Sequence, residues 1–211
     1  MTAVRQNSIR LAAVGDLLLT TTPDGTATRG LESLSPEVRE LFASCDLVFA
    51  NLESTLINKF RISTEPLVLA TEEQIRSLAG SGINIVTLGN NHASDCFDAG
   101  FKEVVSVLTD LNINWFGAGL DHEEASRPLI VEMSGVSIAF LGVVDISSGP
   151  YQFATDSSGG VAPFELRQIC QSIENLKKKV DHVIISPHWG LERFRIPSLL
   201  QIEQAHALVA S

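Results

Sequence analysis

The chain has 211 residues, of which 45% are hydrophobic and 19% are charged, and its formal net charge is −10. This composition excludes an intrinsically disordered chain and is typical of a globular protein long enough to bury a large core. Lys and Arg cluster only at Lys177–Lys179, which excludes a general nucleic-acid-binding surface. Cys45, Cys96 and Cys170 are widely spaced and form no CxxC pair, which favours reduced thiols over a disulfide framework.

Strand-like and helical patterns alternate along the chain. Hydrophobic runs of β-forming residues predict seven strands, and helical periodicity predicts four helices between them. Two helix starts carry capping signals, since Ser35 precedes a proline and Thr71 stands three residues before Gln74. The predicted elements, in chain order, are strand Ile9–Val14, helix Ser35–Cys45, strand Leu47–Ala50, helix Thr71–Ala79, strand Ile83–Leu88, helix Ala99–Leu111, strands Ile113–Phe116, Leu129–Met133 and Val136–Val143, helix Ala162–Val180 and strand His182–Ile185.

This alternation predicts an α/β layered domain with a largely parallel sheet, and one domain spanning residues 1–211. The segment Leu129–Val144 is an exception, because its two strand-like halves meet at Met133-Ser134-Gly135. Such a pattern predicts an antiparallel hairpin.

The first twenty residues superficially resemble a signal peptide, because two arginines precede an apolar run. Asp16 lies inside that run and no clear cleavage site follows, so we interpret the segment as a first strand. The longest apolar stretches, such as Val136–Val144, are too short to cross a bilayer. The sequence alone therefore predicts a cytoplasmic protein.

Polar residues follow four of the predicted strands, as GD at 15–16, NLE at 51–53, GNNH at 89–92 and SPHWG at 186–190. Functional residues of α/β domains gather beyond the carboxyl ends of the strands, so we expect these four stretches to meet at one rim. They bring two carboxylates, an amide oxygen and an imidazole together, a set that suits Mn, Fe or Zn. The residues concerned are Asp16, Glu53, Asn91 and His188.

Each of these residues also has a structural explanation when it is considered alone. Asp16 can serve as a turn or cap residue, and Glu53 as a surface carboxylate. The paired asparagines can hold a tight turn, His92 can be a core histidine, and His188 can pack with the following tryptophan under a loop. These explanations do not account for the joint placement of the residues at strand ends, which favours a metal site.

The motifs GD, NLE, GNNHxxD and HWG, in this order, resemble the CapA family of poly-γ-glutamate capsule-synthesis proteins, a branch of the calcineurin-like metallophosphoesterases. The segment Phe116–Asp145 resembles that family too, so the resemblance covers nearly the whole chain. It implies a layered β-sandwich of mixed sheets flanked by helices, the metallo-dependent phosphatase-like fold, with metal at the strand ends. The implied metal ligands are Asp16, Glu53, Asn91 and His188, with Glu53 bridging, and the implied general acid is His92.

Two departures from the family pattern reduce the number of expected metal ligands. Phosphoesterases generally carry Asp-x-His at the first motif, whereas Leu18 occupies that histidine position here, a loss shared by CapA-like proteins. The later GHHPH-like segment has no counterpart, and His206 lies within the helical pattern 199–211, which ends without a stop signal. We therefore expect a fold incomplete at the C-terminus, at most one divalent ion, activity near background, and exposed apolar surface that permits self-association.

The resemblance implies metal-assisted hydrolysis of an anionic substrate, either a phosphoester or an amide of an anionic polymer. Asp95 either orients His92 or caps the next helix, and the sequence leaves both roles open. Arg127 stands at the entrance of the hairpin, where it either meets the substrate or is simply a surface residue.

Two further functions stay open at this point. One is a non-catalytic component of a capsule-polymer synthesis or export assembly, with capsule-synthesis proteins as partners, which the missing ligands favour. The other is a metal-free α/β small-molecule binding domain. Because family members often act at the cell surface, the resemblance makes the cell surface an alternative location to the cytoplasm.

Overall fold

The strands and helices alternate in the order that the sequence predicts, with several short elements between them. The computed structural model describes residues 8–20, 31, 34–56, 68–150 and 152–211, apart from the side chains of residues 97 and 98. Its strands are β1 (Leu11–Leu17), β2 (Leu47–Leu52), β3 (Thr55–Leu56), β4 (Leu69–Ala70), β5 (Ile85–Thr87), β6 (Asn114–Phe116), β7 (Ala118–Gly119), β8 (Leu129–Met133), β9 (Val136–Val144), β10 (Gly160–Val161) and β11 (His182–His188). Its helices are α1 (Pro36–Ala43), α2 (Glu72–Arg76), α3 (Phe97–Asp110), α4 (His122–Ala125), α5 (Leu166–Leu176) and α6 (Leu199–Ala210).

Two sheets organise the described residues. The first has the order β1-β2-β5-β6, and all of its strands are parallel. The second has the order β11-β9-β8, in which β11 is parallel and β8 antiparallel to β9. The two remaining pairs, β3-β4 and β10-β7, are short.

The two sheets pack face to face around an aromatic cluster. Phe49 of the first sheet lies with its ring centroid 5.9 Å from that of Phe140 in the second. Phe116 completes the triangle at 5.7 Å from Phe49 and 5.8 Å from Phe140. Offset rings at these separations bury large apolar area, so this cluster holds the sandwich together.

Helices cover the outer faces of both sheets. The outer face of the first sheet packs on α2 and α3 through buried residues such as Ile75, Val104 and Leu108. The outer face of the second sheet packs on α5 through Ile169 and Ile173. The result is a four-layered α/β arrangement with an internal sandwich, as the family resemblance implies.

The predicted hairpin is confirmed. β8 and β9 are antiparallel, and the turn residues Ser134 and Gly135 have φ values of 52° and 76°. Positive φ at both central residues matches the twist of the flanking strands, which is why a two-residue turn closes here.

Several predicted boundaries are wrong, for identifiable reasons. The last predicted helix begins only at Leu166 and not at Ala162, because Pro163 bridges to Val144 as extended chain. The first and last predicted strands each end three residues later, because β1 continues through a register shift to Leu17 and β11 runs on to His188, and β1 also begins two residues later, at Leu11. In the described part of the chain, no helix is long and apolar enough to span a membrane. Residues 1–7, which belong to the segment that resembles a signal peptide, lie outside the described residues.

Candidate metal site

A bulge in β1 sets the direction of Asp16. Ala13 pairs with Phe49, and Asp16 pairs with Asn51, so β1 has one more residue than β2 over this stretch. Side chains alternate between the faces of a strand, and one extra residue moves the following side chain to the opposite face. Val14 and Leu17 accordingly pack on the same helix-covered side although they are three residues apart. Asp16 therefore lies within β1, not after it, and its side chain reaches Asn51.

Glu53 follows β2 directly and is held by a backbone hydrogen bond from its own N–H to Leu17 O, 3.1 Å long. Its exposed fraction is only 9%. Burial and the nearby Asp16 carboxylate raise the pKa of Glu53 to about 7. Both effects disfavour the charged form, so the carboxylate pair is costly until a cation offsets it.

His188 reaches the same place from the second sheet. It ends β11, where it pairs with Val144, and it shares a strand face with Ile184 of the inter-sheet cluster. The next residue, Trp189, points the other way and stacks on Phe164 with ring centroids 5.2 Å apart. Burial lowers the pKa of His188, so its imidazole is neutral near pH 7, the state that a metal ligand requires.

The four predicted ligands come together. Asp16, Glu53 and His188 each offer one ligand atom, and these three atoms all lie within 4.8 Å of one another. Asn91, in the loop after β5, places its Oδ1 2.9 Å from His188 Nε2. Three of the contributing strands adjoin in the first sheet, whereas β11 belongs to the second. The site therefore lies where the carboxyl ends of strands from both sheets converge.

The pair of His92 and Asp95 lies at the edge of this cluster. His92 Nδ1 is 2.8 Å from Asp95 Oδ2, and its Nε2 is 3.9 Å from Glu53 Oε1. Asp95 also accepts a hydrogen bond from Val68 N at 3.0 Å, whereas the residue that precedes α3 is Cys96. Asp95 therefore contacts the imidazole, and it is not the cap of the next helix. Burial opposes protonation of His92, but the hydrogen bond and charge of Asp95, together with the charges of Glu53 and Glu192, outweigh it, so the pKa of His92 is raised.

Other residues considered from the sequence lie away from this cluster. Leu18, at the position where phosphoesterases carry a histidine, is 52% exposed. His206 lies on α6 and is exposed, and Arg127 is exposed between α4 and β8. None of the three belongs to the group of ligand atoms described above.

Sequence reasoning missed two asparagines that the structure places at the centre of the site. Asn51 is 7% exposed and donates to Asp16 Oδ1 at 2.7 Å and to Glu53 Oε2 at 3.4 Å. Asn90 is fully buried and donates to Asn51 Oδ1 at 2.9 Å. Both stand inside the quoted motifs, Asn51 near the end of β2 and Asn90 in the loop after β5, where their type and spacing do not distinguish them from ligands.

Solved structures share this fold over most of the chain. A novel phosphatase from Mycoplasma pneumoniae matches with a TM-score of 0.58 at 16% identity, over 96% of this chain and 61% of that chain. An NAD nucleotidase from Haemophilus influenzae matches with a TM-score of 0.53 at 16% identity, over 93% of this chain and 36% of that chain. At such low identity these similarities show the fold, which is metallo-dependent phosphatase-like.

Curated relatives extend the comparison to sequence. The PGA biosynthesis protein CapA of Bacillus subtilis (strain 168) is 27% identical over 187 residues, which cover 87% of this chain and 49% of the relative. The capsule biosynthesis protein CapA of Bacillus anthracis is 23% identical over 215 residues, which cover 97% and 52% respectively. The chain thus spans about half the length of these curated relatives.

A family-level match covers nearly the whole chain. Residues 10–211 match the sequence model of the family described as bacterial capsule synthesis protein PGA_cap. That stretch contains every residue of the convergent site, from Asp16 to His188. On this match, the chain belongs to the bacterial capsule synthesis protein PGA_cap family.

Proposed function

We propose that this chain carries a metal-assisted hydrolytic site that acts on an anionic substrate in capsule metabolism. The substrate class is a phosphoester or an amide of an anionic polymer such as poly-γ-glutamate. Family membership and the phosphatase-like fold support the proposal. The observation that carries it is the convergence of three ligand atoms, from Asp16, Glu53 and His188, within 4.8 Å of one another.

The residues present fit one divalent ion. They supply two carboxylates, a neutral imidazole and an amide oxygen, the mixed oxygen and nitrogen set that Mn, Fe or Zn accepts. Among the ion pairs of the described residues, none joins Asp16 or Glu53 to a lysine or arginine. A cation would offset the charge of the buried Glu53 and of the exposed Asp16 beside it, and the residues that would hold it are Asp16, Glu53, Asn91 and His188.

When bound, such an ion supplies Lewis-acid chemistry, which polarises the group to be cleaved and makes water nucleophilic near neutral pH. The chain's own contribution to the reaction is a positioned acid. Asp95 binds Nδ1 of His92 and leaves Nε2 on the side of Glu53, where it can donate a proton to a leaving oxygen. The raised pKa of His92 keeps a larger fraction of the imidazole protonated for that step.

A non-catalytic role in a capsule-synthesis assembly is the second candidate. The observation that favours it is the exposed Leu18 beside the first motif, at the position where phosphoesterases carry a histidine ligand. Four protein ligands hold one ion adequately but are few for two, so a scaffold that retains one structural ion is consistent with this site.

Thermal melts and turnover assays separate these functions. We expect Mn²⁺ to raise the melting temperature of the wild-type chain but not that of Glu53→Ala. We also expect slow Mn²⁺-dependent hydrolysis of an aryl phosphodiester or a γ-glutamyl amide, lost in His92→Ala, with Asp110→Asn at an exposed position of α3 as the control. Mn²⁺ stabilisation without any His92-dependent turnover on either substrate would favour the scaffold, and no Mn²⁺ effect at all would refute the metal site.

A further inference from the structure

Asn51 and Asn90 link the loop after β5 to the two carboxylates through a chain of side-chain amides. Asn90 Oδ1 accepts hydrogen bonds from the backbone N–H groups of His92 and Ala93, at 3.1 and 2.9 Å. Its Nδ2 donates to Leu52 O and to Asn51 Oδ1, each at 2.9 Å. Asn51 Nδ2 then donates to the carboxylates of the pair.

The backbone determines the direction of this chain of hydrogen bonds. A backbone N–H can only donate, so Asn90 must present its oxygen to residues 92 and 93 and its NH₂ group to Asn51. Asn51 must in turn accept with Oδ1 and present its own NH₂ group to Asp16 and Glu53. Asn51 is therefore locked as a donor toward the carboxylates, and its oxygen is not available as a ligand.

This donor occupies one oxygen of each carboxylate and leaves the other. Asn51 contacts Asp16 Oδ1 and Glu53 Oε2, while Glu53 Oε1 faces His92 at 3.9 Å. We propose that Asn51 and Asn90 are positioning residues, which turn the two carboxylates so that Asp16 Oδ2 and Glu53 Oε1 face the ion. This inference rests on the proposed metal site and adds the residues that orient its ligands. Groups that orient ligands in this way commonly change metal affinity about 10- to 100-fold when they are removed.

A metal-free experiment tests the orientation by itself. In chelator-treated wild-type protein labelled with ¹⁵N, we expect the Asn51 side-chain NH₂ protons to exchange slowly with solvent, because they are buried and bonded. Asn90→Asp keeps an acceptor for the backbone of residues 92 and 93 but removes the donor to Asn51, so the protection should be lost. Asn84→Asp is the matched control, since Asn84 holds backbone groups of residues 46 and 48 before β5, at the opposite end of that strand.

Calorimetric titration with Mn²⁺ then tests the positioning role in four proteins: wild type, Asn90→Asp, Asn51→Ala and the double variant. Asn90→Asp should weaken Mn²⁺ binding about tenfold or more in the wild-type background. In the Asn51→Ala background, the same change should reduce the affinity for Mn²⁺ by a factor that is at least three times smaller, because the group through which it acts is absent. Circular dichroism melts establish that each variant is folded.

The outcomes separate this inference from the proposed function. Equal losses of affinity in both backgrounds, or wild-type Asn51 protons that exchange as fast as those of an exposed asparagine, would overturn the positioning role even if Mn²⁺ binds well. Protected Asn51 protons in a chain that binds no Mn²⁺ would instead refute the proposed function, while the orientation of the carboxylates would stand.

Discussion

At the scale of single residues, Glu53 bears the main electrostatic cost of the site. It is buried beside Asp16, and its pKa is raised from 4.5 to about 7. A buried carboxylate without a cation destabilises the native state once it ionises. The same charge is what a divalent ion would bind, so stability and affinity for metal oppose each other at this position.

The stability of the metal-free chain should therefore depend on Glu53 between about pH 4.5 and pH 7. Below this window the side chain is protonated in both states. Within it the unfolded chain releases the proton first, so stability falls as pH rises, by at most about 3 kcal/mol, and above it the cost is constant. In urea unfolding with chelator present, Glu53→Gln should remove this fall in stability, whereas Glu132→Gln at an exposed position of β8 should not. A Glu53→Gln curve that parallels wild type would contradict the assignment.

Asp95 should control the protonation of His92. Burial lowers the pKa of this imidazole, and Asp95 makes the largest of the contributions that raise it, ahead of Glu53 and Glu192. Asp95→Asn keeps the shape of the side chain but removes its charge, so the pKa of His92 should fall below the wild-type value. Histidine NMR titration measures it, with Asp110→Asn as the control for net charge. An unchanged His92 titration would mean that Asp95 only anchors Val68.

The convergence of Asp16, Glu53, Asn91 and His188 was predictable from the sequence, because residues beyond the carboxyl ends of strands gather at one edge of an α/β fold. The amide pair was not predictable in the same way. Asn51 and Asn90 stand among residues already interpreted as turn or motif, and their roles depend on hydrogen-bond direction between segments 39 residues apart. Only three-dimensional contacts distinguish Asn91, a proposed ligand, from a neighbouring residue that we propose orients ligands.

At the scale of elements, the loop after β5 is held by close contacts between the sheets. Thr87 Oγ1 accepts a hydrogen bond from Gly89 N at 2.9 Å. Gly117 and Gly142 lie against the same hydroxyl, since a Cβ at either would come within 2.8 and 2.6 Å of it. The absence of side chains at these glycines lets β9 approach β5 and fixes the start of the site loop.

Gly142→Ala should therefore destabilise the fold by about 1–3 kcal/mol through overpacking. The added methyl would meet Thr87 Oγ1 and, at 3.0 Å, Gly117 Cα. Removing the hydroxyl in Thr87→Ala should make the double variant more stable than the sum of the single losses predicts. Gly15→Ala is the control, because a Cβ there meets nothing within 4 Å. Urea unfolding checks this prediction, and equal stabilities of Gly142→Ala and Gly15→Ala would contradict it.

The order and type of the main elements were predictable because apolar periodicity and capping residues are local signals. Thr71, for example, forms the capping box with Gln74 that its spacing indicates. The bulge in β1 has no comparable local signal, because a register shift is a property of two strands together. For that reason Asp16 was expected after the strand, although it lies within it.

At the scale of the whole molecule, the segment between β11 and α6 and the first residue of α6 expose large apolar side chains. Phe194, Ile196 and Leu199 have exposed fractions of 74%, 81% and 79%. Contiguous exposed apolar side chains favour association. We expect concentration-dependent self-association in sedimentation velocity, reduced in Phe194→Ser/Ile196→Ser but unchanged in Leu120→Ser, an exposed leucine elsewhere. Identical sedimentation of wild type and the double variant at every concentration would show that this surface is not used.

The stoichiometry and affinity of divalent metal binding test the central claim most directly. Elemental analysis and calorimetric titration with Mn²⁺ should give one ion per chain. Affinity should fall further in Glu53→Ala than in Asn91→Ala, because the former removes a charged ligand and the latter a neutral one. Wild-type binding that Glu53→Ala leaves unchanged would contradict the site, and two tightly bound ions per chain would show that these four ligands are not the whole of it.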